Sequence, residues 1–124
     1  MSMYIATLHL TRTGKTSSDD DKIIIQHNLQ HANLFNVTYS TPELKMARTF
    51  TTDESKILDF IGDILQSLSY DHEPFEEVQV STAIHPNILY AVANINNCTV
   101  RAIILNTIRF ALRADIKQKR ITSE

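Results

Sequence analysis

Alternation of apolar and polar positions predicts β-strands over much of this chain. Five segments alternate in this way: residues 4–12, 34–40, 45–51, 75–83 and 88–95. Thr41, Pro42 and Glu43 separate the second segment from the third and are typical of a tight turn, which predicts a β-hairpin. Both sides of segment 4–12 are partly apolar, so we expect an inner strand there rather than an edge strand.

The sequence of segment 22–32 is compatible with either a strand or a helix. Its run of three isoleucines, residues 23–25, is β-branched and favours a strand that pairs with residues 4–12. Ser18 followed by three aspartates is typical of a helix start, and a helix would give the ferredoxin-like β-α-β-β-α-β order. We favour the strand, after a polar loop over residues 13–21.

Two later segments have the 3.6-residue period of helices. In residues 53–68 the apolar side chains fill an arc of about 160°, and Thr51 with Glu54 matches a capping box. Gly62 lies at the border of that stripe, and because glycine is unfavourable in a helix we expect the backbone of a neighbouring element to approach closely there. In residues 99–117 the apolar arc is about 240°, wider than one contact surface requires. We therefore expect the second helix to be covered on two sides, by the sheet and by the first helix, a partner subunit or a different protein.

These elements predict an α+β fold, in which an antiparallel sheet of four to six strands is packed on one face by two amphipathic helices. A chain of 124 residues suits one domain and is too short for two. We assign that domain to residues 1–118 and a short basic C-terminal tail to residues 119–124.

Charge is unevenly distributed along the chain. Residues 1–98 carry 6 Lys and Arg against 12 Asp and Glu, whereas residues 99–124 carry 6 against 2. Five basic residues are the candidate contacts for an anion or a nucleic acid: Arg109, Arg113, Lys117, Lys119 and Arg120. Because the chain is acidic overall and that helix face lacks interleaved aromatic residues, nucleic-acid binding is an alternative and not the first hypothesis.

Motifs for catalysis or for cofactor binding fail on their spacing. Residues 14–16, Gly-Lys-Thr, resemble the end of a phosphate-binding loop, but His9 stands where that loop needs its first glycine. His27 and His31 would share one helix face, yet no third metal ligand is near, so we interpret both as solvated. We predict no cofactor and no metal site.

An enzyme is not favoured. An active site would have to be assembled from distant residues, among them His9, Arg48, His85 and Cys98. The single cysteine also excludes a disulfide framework within the chain. We interpret Arg48, between two apolar positions of a strand face, as paired with a carboxylate in preference to contacting an anionic ligand.

The first functional hypothesis is a non-enzymatic structural or protein-interaction module that forms a homo-oligomer through its C-terminal helix. The predicted interface is one edge of that helix: Leu105, Arg109, Leu112, Arg113 and Ile116. The two arginines at its border would meet Asp59 or Asp63 of a second chain and help to set its orientation.

The start of the chain, from Met1, lacks the basic segment and apolar core of a secretory signal. No apolar run approaches the about 20 residues that a membrane-spanning helix needs. We therefore expect an intracellular protein, cytoplasmic or otherwise, without a membrane partner.

Residues 71–80, Asp-His-Glu-Pro-Phe-Glu-Glu-Val-Gln-Val, follow the first predicted helix. This stretch resembles small proteins of large DNA viruses. The resemblance implies a virion-associated role as a further alternative, and it assigns no role to any single residue.

Overall fold

The computed structural model describes residues 4–12, 20–28, 30–31, 34–51, 53–69, 75–82, 88–91, 95 and 97–122 of the chain. Within these residues, eight elements follow one another: β1 (Tyr4–Arg12), β2 (Asp21–His27), β3 (Phe35–Ser40), β4 (Lys45–Phe50), α1 (Glu54–Ser69), β5 (Phe75–Thr82), β6 (Ile88–Ala91) and α2 (Cys98–Thr122). Residues 13–19 of the predicted loop 13–21, residues 71–74 of the stretch 71–80 that resembles viral proteins, and His85 lie outside the described residues.

The six strands form one antiparallel sheet in the order β4-β3-β2-β1-β5-β6. β1 to β4 follow one another as a meander, and the chain then passes through α1 and returns to pair β5 with the free side of β1. This confirms the predicted α+β fold with four to six strands and two helices. β1 is an inner strand, as its two partly apolar sides predict.

Segment 22–32, for which the sequence allows two structures, begins as a strand. Ile23 and Ile25 of β2 are buried, and their cross-strand neighbours on β1 are Leu8 and Ala6. The intervening Ile24 points to the other side of the sheet and is half-buried. Burial of β-branched side chains therefore outweighs the helix-start signal of the preceding aspartates.

One face of the sheet and both helices enclose a single hydrophobic core. Leu8, Ile23, Tyr39 and Val80 are cross-strand neighbours on that face, and all four are buried. The opposite face is mostly polar, and its described side chains are half-buried or exposed; they include Thr7, Ile24, Thr38 and Ser81. The alternation of apolar and polar residues along the strands thus places the apolar side chains on the face that the helices cover and most of the polar side chains on the open face.

α1 begins at a different cap from the predicted one. The backbone N–H of Ser55 donates to the Asp53 carboxylate at 3.0 Å, so Asp53 is the N-cap residue. The capping box that the sequence predicts from Thr51 and Glu54 is therefore wrong. The carboxylate of Glu54 instead reaches Arg113 on the second helix.

α2 is longer than predicted at its C-terminal end. Asn97 caps its start, because the backbone N–H of Thr99 donates to the Asn97 side chain at 2.8 Å. The helix continues to Thr122, so the tail assigned to residues 119–124 begins inside it. Within the described residues, neither helix combines the length and the apolar composition of a membrane span.

The two helices pack against each other in antiparallel directions. Gly62 of α1 faces Leu105 of α2, whose Cδ1 atom lies 3.6 Å from the position that a Cβ at Gly62 would take. One end of the pair is joined by Glu54 and Arg113, with the Nη2 to Oε1 distance at 2.9 Å. Among the described residues, the neighbour of Gly62 is thus a leucine side chain at an ordinary van der Waals distance, and the close backbone approach that the sequence predicts there is not found.

Candidate interaction surface

The predicted oligomer interface lies largely inside the chain's own core. Leu112 is 0% exposed, and Leu105 and Ile116 are partly buried against the same core. α1 covers the side of α2 that the helical wheel leaves for a partner. Leu112 therefore cannot contact a second chain, and its assignment to an interface is wrong.

Arg113 is engaged within the chain. Its Nε atom donates to both carboxylate oxygens of Glu54, at 2.9 and 3.0 Å, and the two side chains form a bidentate ion pair. The hydrogen bond to Glu54, together with the negative charge of that carboxylate, raises the pKa of Arg113. The sequence predicts that Arg113 pairs with Asp59 or Asp63 of a second chain. In the structure it pairs with Glu54 of its own chain.

The other predicted basic contacts, Arg109, Lys117, Lys119 and Arg120, also lie on α2. Arg109 donates to the side-chain oxygen of Asn106 at 2.9 Å, one turn earlier on α2. Lys117 is exposed. Lys119 and Arg120 lie in the last turns of α2, and their side chains fall outside the described residues.

An apolar ridge runs along the outer side of α2. Phe110 is 67% exposed and Ile103 is 45% exposed, and Phe110 is the most exposed of the large hydrophobic side chains described. Thr107 and Ala114 continue the same line, so the four residues follow a 4-3-4 spacing. We call Ile103, Thr107, Phe110 and Ala114 the outer ridge of α2.

The outer ridge is less polar than its composition implies. The hydroxyl of Thr107 donates to the backbone carbonyl of Ile103 at 2.9 Å, so this donor is satisfied within the helix. On the helical wheel, Ile103 and Phe110 fall within the wide apolar arc of α2 and are not separated from its buried part. The sequence signal that could identify the ridge is its 4-3-4 spacing, which is typical of contacts between two helices.

A histidine–aspartate pair ties α2 to the sheet. His27 Nε2 lies 3.0 Å from Asp115 Oδ1, and the His27 ring also contacts Phe35, with the centroids 5.5 Å apart. Among the described residues, no hydrogen-bond partner contacts the buried His27 Nδ1 or the buried Asp115 Oδ2. The interpretation of His27 as a solvated side chain is therefore wrong, because α2 packs over it.

Three of the residues considered for an active site, His9, Arg48 and Cys98, are described, and these three do not converge. His9 lies on the open face of the sheet, 3.7 Å from the buried Asp20, whereas Arg48 lies on the helix-covered side of β4. Cys98 is exposed at the start of α2. Within the described part of the chain, no three histidine, cysteine or acidic side chains gather in a metal-binding group.

Arg48 has a different neighbour from the one predicted. Its guanidinium carbon lies 5.3 Å from the centroid of the Phe60 ring on α1, which is a cation–π contact. Among the described residues no carboxylate forms an ion pair with Arg48, so the expected pairing is not found in this part of the chain.

Comparison of this chain with protein-family models, with curated proteins and with solved structures gives no match. The function is therefore inferred from the chemistry of the chain's own surfaces.

Proposed function

We propose that this protein is a non-enzymatic interaction module that self-associates through the outer ridge of α2. The observation that carries the proposal is the exposure of Phe110, at 67%, beside Ile103, at 45%, on a helix whose other large apolar side chains, among those described, are largely covered. Exposed large apolar side chains that line up on one element are typical of protein–protein contacts.

A second copy of the chain is the partner that the ridge fits. In an antiparallel, two-fold pairing of α2 helices, the 4-3-4 spacing places Phe110 against Thr107 of the other copy. The same symmetry places Ile103 against Ala114. Each large side chain then meets a small one, which allows the two helices to approach closely.

The affinity of such a dimer is expected to be modest. Each Phe110 or Ile103 side chain that leaves water contributes about 1.5–3 kcal/mol at most, because both are already partly covered. A two-fold contact buries four such side chains, and association itself costs about 4–15 kcal/mol. We therefore expect a dimer that dissociates in the micromolar range or above.

Sedimentation velocity at tens to hundreds of micromolar tests the proposal. We expect the wild type to sediment as a concentration-dependent dimer and Phe110→Glu to sediment as a folded monomer. Leu44→Glu is the matched control, because Leu44 is a comparably exposed apolar residue, at 51%, in the turn before β4. A monomeric wild type, or a Phe110→Glu protein that still dimerises, would contradict the proposal.

A further inference from the structure

A buried carboxylate lies beside a histidine on the open face of the sheet. Asp20 directly precedes β2, and its side chain is only 4% exposed. His9 belongs to β1, the strand that pairs with β2, and its side chain is 33% exposed. The Nδ1 atom of His9 is 3.7 Å from the Oδ2 atom of Asp20. The fold thus brings an imidazole nitrogen and a carboxylate oxygen together on two neighbouring strands.

The distance between these two atoms is too long for a hydrogen bond and suits two ligands of one metal ion. In a hydrogen bond the nitrogen and the oxygen are about 2.7–3.2 Å apart, as they are in the His27–Asp115 pair at 3.0 Å. Zn²⁺ holds a histidine nitrogen and a carboxylate oxygen at about 2.0–2.2 Å each, which at a tetrahedral angle places the two atoms about 3.4 Å apart. The 3.7 Å between His9 and Asp20 differs from that value by a few tenths of an ångström, which a small rotation of either side chain closes.

The second oxygen of the same carboxylate points to the same conclusion. Among the described residues, no hydrogen-bond partner contacts the buried Oδ1 atom of Asp20. A carboxylate oxygen that is buried without a partner costs free energy, and a bound ion is one of the few groups that satisfies it. An ion beside His9 would be bound by this carboxylate through one oxygen or through both.

Lys22 is the charged residue on this face that opposes a cation. It is the cross-strand neighbour of His9 on β2, whereas the neighbour of His9 on β5 is the uncharged Gln79. Among the described residues no ion pair joins Lys22 to Asp20, so this lysine does not occupy the carboxylate. The ammonium group of Lys22 would repel a bound cation and lower its affinity, but it leaves both ligands in place.

We propose that His9 and Asp20 bind a divalent transition-metal ion of the Zn²⁺ type. An imidazole nitrogen with a carboxylate oxygen is a donor set that suits Zn²⁺, whereas Ca²⁺ and Mg²⁺ prefer oxygen ligands alone. Within the described part of the chain no third histidine, cysteine or acidic ligand joins the pair, so water completes the coordination and we expect binding in the micromolar range. The bound ion would hold the start of β2 against β1, on the face of the sheet away from the helices.

Isothermal titration calorimetry with ZnCl₂ on the full-length protein tests the inference. All samples carry Cys98→Ser, which removes an exposed thiol that could compete for the metal. We expect this parent protein to bind one ion per chain, and His9→Gln and Asp20→Asn each to bind it at least about tenfold more weakly. His31→Gln is the matched control, because it removes an exposed histidine outside the pair and should bind as the parent does.

Two further measurements respond to a bound ion and not to a merely structural contact between the two side chains. Lys22→Met removes a positive charge beside the ion and should tighten Zn²⁺ binding about two- to fivefold. Cu²⁺ bound in place of Zn²⁺ should show a single imidazole nitrogen in pulsed electron paramagnetic resonance, and His9→Gln should lose that signal. Circular dichroism checks that each variant is folded.

The inference is overturned if the parent protein does not bind Zn²⁺ at hundreds of micromolar, or if His9→Gln binds it as tightly as the parent does. Equal weakening in His31→Gln, or no tightening in Lys22→Met, would place the ion elsewhere and also overturn it. If Asp20→Asn does not fold, the results for His9→Gln and Lys22→Met decide. None of these results depends on self-association, so they stand apart from the test of the outer ridge.

Discussion

Replacement of Leu112 by alanine measures whether α2 is seated in the core through this residue. Leu112 is 0% exposed in the core between α2, α1 and the sheet. Leu→Ala changes at fully buried positions cost about 2–5 kcal/mol, the sum of lost transfer energy and the cavity left behind. Leu44→Ala removes the same atoms from a side chain that is 51% exposed, so it should cost less than about 1 kcal/mol.

Urea unfolding followed by circular dichroism gives the comparison. With a denaturant slope of about 2 kcal/mol per molar, the unfolding midpoint of Leu112→Ala should fall by about 1–2.5 M, and that of Leu44→Ala by less than about 0.5 M. The measurements are made at several protein concentrations, so that any contribution from self-association is separated. Equal midpoints for the two variants would show that Leu112 is not in the core and would refute this placement of α2.

Three further changes test local features. Gly62→Ala should stabilise the protein by up to about 1 kcal/mol in thermal or urea unfolding, because a Cβ there meets only an ordinary van der Waals contact; a destabilised variant would show that the helices pack too tightly there for a methyl group. Asp53→Ala should cost about 0.5–2 kcal/mol through loss of the cap, whereas Thr51→Ala should cost less than about 0.5 kcal/mol; the reverse order would restore the capping box. In a double-mutant cycle, His27→Ala and Asp115→Ala should show a coupling of about 0.5–1.5 kcal/mol, and strict additivity would mean that the pair contributes nothing.

The strands β3 and β4 and the helix α1 were predictable because their signals are local. Alternation over residues 34–40 and 45–51 needs only the sequence itself, and the two segments become β3 and β4. The apolar stripe of α1 likewise matches its buried side chains, Ile57, Leu58, Ile61, Ile64, Leu65 and Leu68. Element type follows from periodicity, because periodicity determines which side chains share a face.

The covered side of α2 could not be predicted from a helical wheel. The wheel shows a wide apolar arc but does not show which half of it α1 covers. The sequence therefore predicts Leu112 at a partner interface and does not identify Phe110 as an exposed residue. Gly62 carried part of the missing information, since it faces Leu105 and marks where the helices meet. To predict the contact between Gly62 and Leu105, one would have to know how α1 and α2 are placed relative to each other, which the pattern of each helix alone does not show.

Contacts between residues that are far apart in the chain could not be predicted from the sequence either. His27 and Asp115 are 88 positions apart, and no local pattern links them. Arg48 was expected to pair with a carboxylate, the usual partner of an arginine near a core, but the helix beside it presents Phe60. Such pairs depend on how the sheet and helices pack.

Disulfide trapping across the proposed two-fold axis tests the central claim most directly. In a Cys98→Ser background, which removes the native exposed thiol, Thr107→Cys should cross-link two chains under mild oxidation. In the antiparallel pairing the two copies of residue 107 are offset by about 4.5 Å along the helices, whereas the copies of residue 117 are offset by about 26 Å. Lys117→Cys in the same background should therefore stay monomeric on a non-reducing gel. Cross-linking at residue 117, or none at residue 107, would contradict the antiparallel dimer through the outer ridge of α2.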